Sequence, residues 1–183
     1  MKTADCDILI IPGLAGSEEE HWQARWASRL ATGRIVAQDD WHQPEPAAWC
    51  GRIVEAVEAA SRPVILIAHS LGVVASVEAI KDFPPGTVRG ALFVALPDVE
   101  RTPNLPERVR AFAPLPREPL PFPSLLVASR TDPYCAYERA EDFAASWGSL
   151  LVDAGESGHI NVASGHGPWP EGLMRLAGFL RNL

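Results

Sequence analysis

The residues His69-Ser70-Leu71-Gly72 place a hydroxyl where it could act as a nucleophile. They follow the apolar run at 64–68 and precede Val73, Val74, Val77 and Ile80, so a buried strand turns directly into an apolar helix at the serine. Small residues at Ala68 and Gly72 allow such a turn to be sharp. It holds the serine in a strained backbone conformation above the carboxyl end of a sheet, with the first helical amides facing any anion formed there. Ala68 stands where the G-x-S-x-G pattern has its first glycine, and a methyl group is the smallest possible addition. Alone, the pattern also fits a serine N-cap at an ordinary turn. An unassisted hydroxyl is a poor nucleophile at neutral pH, so a base and an acid are required elsewhere.

Among five histidines, His159 is the preferred base, because it lies between Gly158 and Asn161 in a glycine-rich loop at 155–167 that follows the last apolar run. The preferred acid is Asp132, directly after the run at 124–129, with Pro133 fixing the turn. Asp98, after the run at 88–95, is the alternative. The chain order Ser70, Asp132, His159 is that of hydrolases in which histidine takes the serine proton and the acid fixes its tautomer. The developing oxyanion needs two donors. The backbone N–H groups of Leu71 and Leu14 suit this role, with Gly13 allowing close approach. His69 is expected to point away from the serine and to line the pocket or pack. His21 either lines the entrance or is solvated, and Trp22, Trp41 and the proline-rich span at 97–123 either wall the substrate site or pack in the core. His42 and His166 receive no role. No histidine pair has metal-ligand spacing, Asp39-Asp40 with His42 reads as a polar loop, and a phosphate loop lacks its Gly-Lys-Ser/Thr, so neither a metal nor a cofactor is expected.

The elements that must carry these residues alternate along the chain. Apolar runs at 7–12, 34–38, 64–68, 88–95, 124–129 and 150–152 read as strands. Helices are expected from Ser17, through a capping box with Glu20 and the apolar face Trp22, Trp26 and Leu30; from Pro46, with Trp49, Ile53, Val57 and Ala60; after Ser70; and over 107–113 in short form. Two more carry Ala136, Ala140, Phe143 and Trp147, and Trp169, Leu173, Leu176 and Leu180. Continuous apolar strands separated by helices predict an α/β fold. Its sheet is doubly wound, mostly parallel, of about six strands, and ligands bind beyond the carboxyl ends of those strands. Eight prolines between Pro97 and Pro123 keep that segment out of the sheet.

The 183 residues, 47% hydrophobic and 21% charged, suit one domain over 1–183. A net charge of −7 argues against nucleic acid or an anionic membrane as partner and leaves small neutral or cationic molecules. Cys6, Cys50 and Cys135 are odd in number, without CxxC spacing, and read as reduced thiols. No leader or membrane-spanning run is visible, which leads to the expectation of a cytoplasmic protein.

Several motifs in a fixed order resemble the small serine hydrolases related to retinoblastoma-binding protein nine and its bacterial relatives, within the α/β-hydrolase superfamily. They are Pro12-Gly13-Leu14 with Gly16-Ser17, His21-Trp22-Gln23 with Trp26, Asp40-Trp41 with Pro44, and His69-Ser70-Leu71-Gly72. Asp132-Pro133 and Gly158-His159-Ile160-Asn161, running on to Gly165, Gly167, Trp169 and Pro170, complete the set. The resemblance implies a compact sheet without a large lid domain, a triad of Ser70, Asp132 and His159, and esterase or acyl-hydrolase activity. The expectation is a cofactor-free enzyme acting on a small-molecule ester, with thioesters and amides open to the same machinery. The rival is a non-catalytic binding module on the same fold.

Overall fold

A computed structural model describes all 183 residues. Six strands form one sheet: β1 (Asp7–Ile11), β2 (Gly33–Ile35), β3 (Val64–His69), β4 (Val88–Val94), β5 (Ser124–Ala128) and β6 (Leu150–Asp153). The spatial order is β2-β1-β3-β4-β5-β6 and every pairing is parallel. β1 and β3 are fully buried, and apolar apart from Asp7 and His69, because both faces are covered. Ile8, Ile10, Ile65, Ile67, Leu92, Val94 and Val127 pack towards α1 (Trp22–Arg29) and α6 (Pro170–Arg181). Their alternates Leu9, Ile11, Leu66, Ala68, Ala91, Phe93 and Leu126 pack towards α2 (Pro46–Glu58), α3 (Leu71–Ala79) and α5 (Tyr137–Trp147). No helix is long and apolar enough to cross a membrane.

The chain runs outward from β1 to β2 on one face, then returns across the other face to β3. Right-handed crossovers force this change of face. The strand order therefore reverses between β1 and β3, and a crevice opens where their carboxyl ends part. Ser70 and the Gly13-Leu14 turn stand at that crevice.

Four elements differ from expectation. Helix α1 starts at Trp22 instead of Ser17: His21 is the N-cap, its imidazole accepting the Gln23 N–H, and the Ser17 hydroxyl donates to Gln23 Oε1 at 2.9 Å. β2 spans Gly33–Ile35 instead of 34–38. It is an edge strand, and after the Val36 N–H bonds to Ile10 the chain turns inward, where the Gln38 side chain reaches the Trp49 carbonyl. The helix in the proline-rich span shrinks to α4 (Glu107–Arg110), yet Leu105, Val109, Phe112, Leu115 and Phe122 are all buried, so the span is a packed cover of the core. In α6, Leu173 is 38% exposed and the buried stripe runs through Leu176, Phe179 and Leu180. Trp169 is the N-cap residue and packs on Trp22 and Trp26.

Gly72 stands where helix and strand leave no room for a side chain. A Cβ there would lie 2.3 Å from the Ile11 carbonyl oxygen and 2.6 Å from that of Pro12, so α3 meets the end of β1 backbone to backbone. Gly51, inside α2, has open space around it. Gly72→Ala should therefore cost about 3 kcal/mol or more and lower the melting temperature by roughly 10 °C. Gly51→Ala should raise stability by about 0.5–1 kcal/mol through helix propensity. Thermal and urea unfolding of the two variants measures both effects.

Candidate active site

Ser70 follows β3 with φ 54° and ψ −128°, a conformation an L-residue adopts only under constraint. The constraint comes from both sides. Its N–H bonds to the Val94 carbonyl at 3.0 Å, and its own carbonyl accepts the Val73 N–H at 2.9 Å, which starts α3. Gly13 closes over it, since a Cβ at Gly13 would lie 2.7 Å from the Ser70 Cβ. The side chain is thereby forced upwards, out of the sheet. Leu14 and Leu71 line the crevice together with Ser70, and neither of their amides has an acceptor within the chain.

His159 Nε2 lies 2.9 Å from Ser70 Oγ, and His159 Nδ1 lies 2.9 and 3.0 Å from the two oxygens of Asp132. A carboxylate can only accept, so Nδ1 carries the proton and the lone pair of Nε2 receives the Ser70 hydroxyl proton. Asp132 also accepts the Tyr134 N–H at 2.9 Å, and the Tyr134 ring stands edge-on against the imidazole with centroids 4.6 Å apart. Three residues from three separate loops thus form one hydrogen-bonded chain across the crevice.

The loops that carry the acid and the histidine are laced together. Ser129 Oγ accepts the Ser157 N–H at 2.9 Å and Thr131 Oγ1 accepts the Gly158 N–H at 3.1 Å, so the turn after β5 grips the loop after β6. Beyond His159, Ile160 adopts φ 49°, unfavourable for a β-branched residue, and is completely buried. The Trp22 indole N–H holds its carbonyl at 2.9 Å. His69 Nε2 donates to the His159 carbonyl at 2.9 Å. Trp22 is therefore core, and its N–H and that of His69 position the His159 loop. Gln23, fully buried, ties the ends of β1 and β3 by donating to the carbonyls of Ile11 and Ile67.

Asp98 is brought to a different place. It is 2% exposed, its oxygens lie 2.7 and 3.3 Å from the Arg139 guanidinium, and it accepts the amides of Glu100 and Arg101. Burial opposes its ionisation, but the guanidinium and the two amides outweigh that and hold its carboxyl below the usual range. It makes no bond to His159. Trp41 likewise lies outside the crevice: its ring packs under Gly16 and its carbonyl accepts the Ala15 N–H at 2.8 Å, supporting the Gly13-Leu14 turn from below.

Two cavities meet at Ser70 and His159. One, of about 380 Å³, is lined by polar groups that include His21, His69, Glu18 and Asn161. The other, of about 320 Å³, is walled by Leu71, Pro97, Leu105, Pro106, Val109 and Tyr134. The proline-rich span thus supplies one wall. Tyr134 and Leu105 have no motif of their own in the sequence, and Asn161 stands there only as the neighbour that marks the His159 loop. Tyr134, two residues past Asp132 in the same turn, carried the only local signal.

Sheet order, the strained serine after β3, the acid after β5 and the histidine after β6 define an α/β-hydrolase fold. The chain belongs to the serine hydrolase family, whose sequence model matches residues 8–178. It is 35% identical to a hydrolase assigned to the YdeN type from Pectobacterium atrosepticum, over 97% of this chain and 91% of that one, with a TM-score of 0.85. It is 18% identical to the ydeN gene product of B. subtilis, over 95% and 98%, with a TM-score of 0.81. Esterase 2 of Thermogutta terrifontis is 15% identical over 100% and 85%, with a TM-score of 0.70. No curated protein matches the chain.

Two histidines of the site are held neutral. Burial, helped by the nearby His159 and His166, pushes His21 down from 6.5 to about 4. Burial, with His159 and His21 close by, holds His69 well below the ordinary histidine range. Between pH 6.5 and 4 the unfolded chain binds protons that the folded chain refuses, so stability rises with pH across that window and is lost on acidification. His21 alone accounts for about 3 kcal/mol of that loss. His21→Asn retains an acceptor for the Gln23 amide and should flatten the fall by about this amount, leaving the part due to His69. Urea midpoints measured across the window test it, and an unchanged slope would contradict the assignment.

Proposed function

We propose that the protein is a carboxylic ester hydrolase working through an acyl-enzyme, with Ser70 as nucleophile, His159 as general base and acid, and Asp132 as the group that orients and stabilises the imidazolium. The observation that carries this reading is the hydrogen-bonded chain from Asp132 through His159 to Ser70 Oγ, with every link at 2.9–3.0 Å. Ser70 Oγ bonds to the ester carbon while its proton passes to His159 Nε2. The carbonyl π electrons move to oxygen, and the N–H groups of Leu14 and Leu71 receive the oxyanion. When the carbonyl re-forms, the ester C–O bond breaks and the alcohol leaves with the proton from Nε2. Water repeats the sequence in reverse to release the acid and restore Ser70.

The two cavities support a substrate with two short limbs, one in each. A thioester or amide would use the same steps; the esterase names borne by two structural neighbours support the ester. A binding module would have no use for a serine held at φ 54° against an imidazole.

A fluorophosphonate probe should label Ser70, with labelling abolished in Ser70→Ala. The reading fails if the folded wild-type protein is not labelled. Asp132→Asn should lower kcat on a nitrophenyl ester by up to ~10⁴ without unfolding the protein, because the imidazole loses its tautomer. Asp98→Asn should instead cost about 3 kcal/mol of stability, by leaving Arg139 short of its partner, while the folded fraction keeps kcat within a few-fold. The reverse pattern would move the acid to Asp98.

A further inference from the structure

The polar cavity beside Ser70 holds two ring nitrogens whose protonation is fixed by their partners. A backbone N–H can only donate, so the Gln23 amide at 3.2 Å from His21 Nδ1 leaves the neutral ring's proton on Nε2. A carbonyl can only accept, so the His159 carbonyl at 2.9 Å from His69 Nε2 takes that proton and leaves His69 Nδ1 as a bare acceptor. The two rings are 6% and 5% exposed, lie with centroids 5.0 Å apart and both line the cavity. His21 Nε2 and His69 Nδ1 have no partner in the chain. Neither is fully enclosed, since the single enclosed side-chain atom without a partner is Gln38 Oε1. Both nitrogens therefore keep accessible surface, and because both rings line the cavity, the pair offers it one donor and one acceptor.

We propose that His21 and His69 form a donor–acceptor pair that reads a hydroxyl group on one limb of the substrate, so that the enzyme prefers hydroxylated esters whose other limb is short and apolar. The inference rests on the ester-hydrolase reading of Ser70. A hydroxyl is the group that satisfies both nitrogens, accepting from His21 Nε2–H and donating to His69 Nδ1. A carboxylate would leave His69 unpaired and would meet the exposed carboxylate of Glu18 on the same cavity. An unsubstituted alkyl limb would strip water from both nitrogens without replacing its bonds. Both rings stay uncharged at neutral pH because burial disfavours their protonated forms, which keeps the pair from attracting anions. The apolar limb falls against Leu71, Leu105, Pro106 and Val109 in the neighbouring cavity.

The test compares esters matched except for hydroxyls: propyl butyrate against glyceryl monobutyrate for the alcohol limb, and propyl butyrate against propyl hydroxybutyrate for the acyl limb. In one arm the hydroxylated member should win by about tenfold in kcat/KM, the worth of a well-made hydrogen-bond pair. That ratio should fall towards one in His21→Asn, which keeps the helix cap but withdraws the donor from the cavity. Ratios near one in both arms, with Ser70 still labelled by the fluorophosphonate, would overturn this proposal and leave the hydrolase reading standing. A ratio that survives in folded His21→Asn would overturn it too. Imidazole nitrogen-15 spectra of the Ser70→Ala protein give a readout that needs neither turnover nor the His21 variant. The better hydroxylated ester should shift the His21 and His69 resonances more than propyl butyrate does, and equal shifts would count against the pair.

Discussion

The structure depends on one steric constraint: three backbone segments meet at Ser70 with no room for a side chain between them. Gly13 on one side and Gly72 on the other bring the end of β1 against the start of α3, at distances where a single methyl would overlap a carbonyl or the serine itself. That contact holds Ser70 at a positive φ and leaves its hydroxyl a single direction to take. It also sets Leu14 and Leu71 in the crevice with Ser70. On the proposed mechanism, one packing event thus arranges both the nucleophile and the donors for a developing charge, and neither needs to reorganise when that charge appears.

A second layer fixes His159. His159 sits in a loop with positive φ at Gly158 and Ile160 on either side, and such a loop keeps its shape only if its surroundings over-determine it. Four groups from three directions do so: Thr131 and Ser129 from the turn after β5, the Trp22 indole from α1, and the His69 ring from the end of β3. Each of these groups bonds backbone atoms of the loop, so the histidine side chain is left free for Asp132 and Ser70. His69 is neutral because burial disfavours the imidazolium, and the neutral ring still carries the one N–H that the His159 carbonyl accepts.

Much of this was legible in the sequence, for identifiable reasons. The strands are continuous apolar runs because both faces of a parallel sheet are covered, and the serine, acid and histidine stand where such strands end. The start of α1 was misplaced because its cap is an imidazole, whereas Ser17 and Glu20 only imitate a capping box. β2 was overextended because Val36 and Gln38 turn inward as core, and an inward-turning loop has the same composition as an edge strand. Trp41, a candidate cavity wall by its sequence, packs against Gly16 and bonds Ala15 instead, a contact that no local pattern marks. The contact between Trp22 and Ile160 spans 138 residues, a separation no local pattern encodes. The fixed tautomers of His21 and His69 likewise appear only once their partners are in place.

The central claim is that Ser70 becomes covalently acylated because His159 takes its proton. Mixing the protein with a nitrophenyl ester, quenching with acid within the first turnover and sequencing the peptides by mass tests it most directly. The account predicts the acyl group on Ser70 in the wild-type protein, and its loss in His159→Ala. Steady turnover of the ester with no acyl group on Ser70 at any quench time would contradict it.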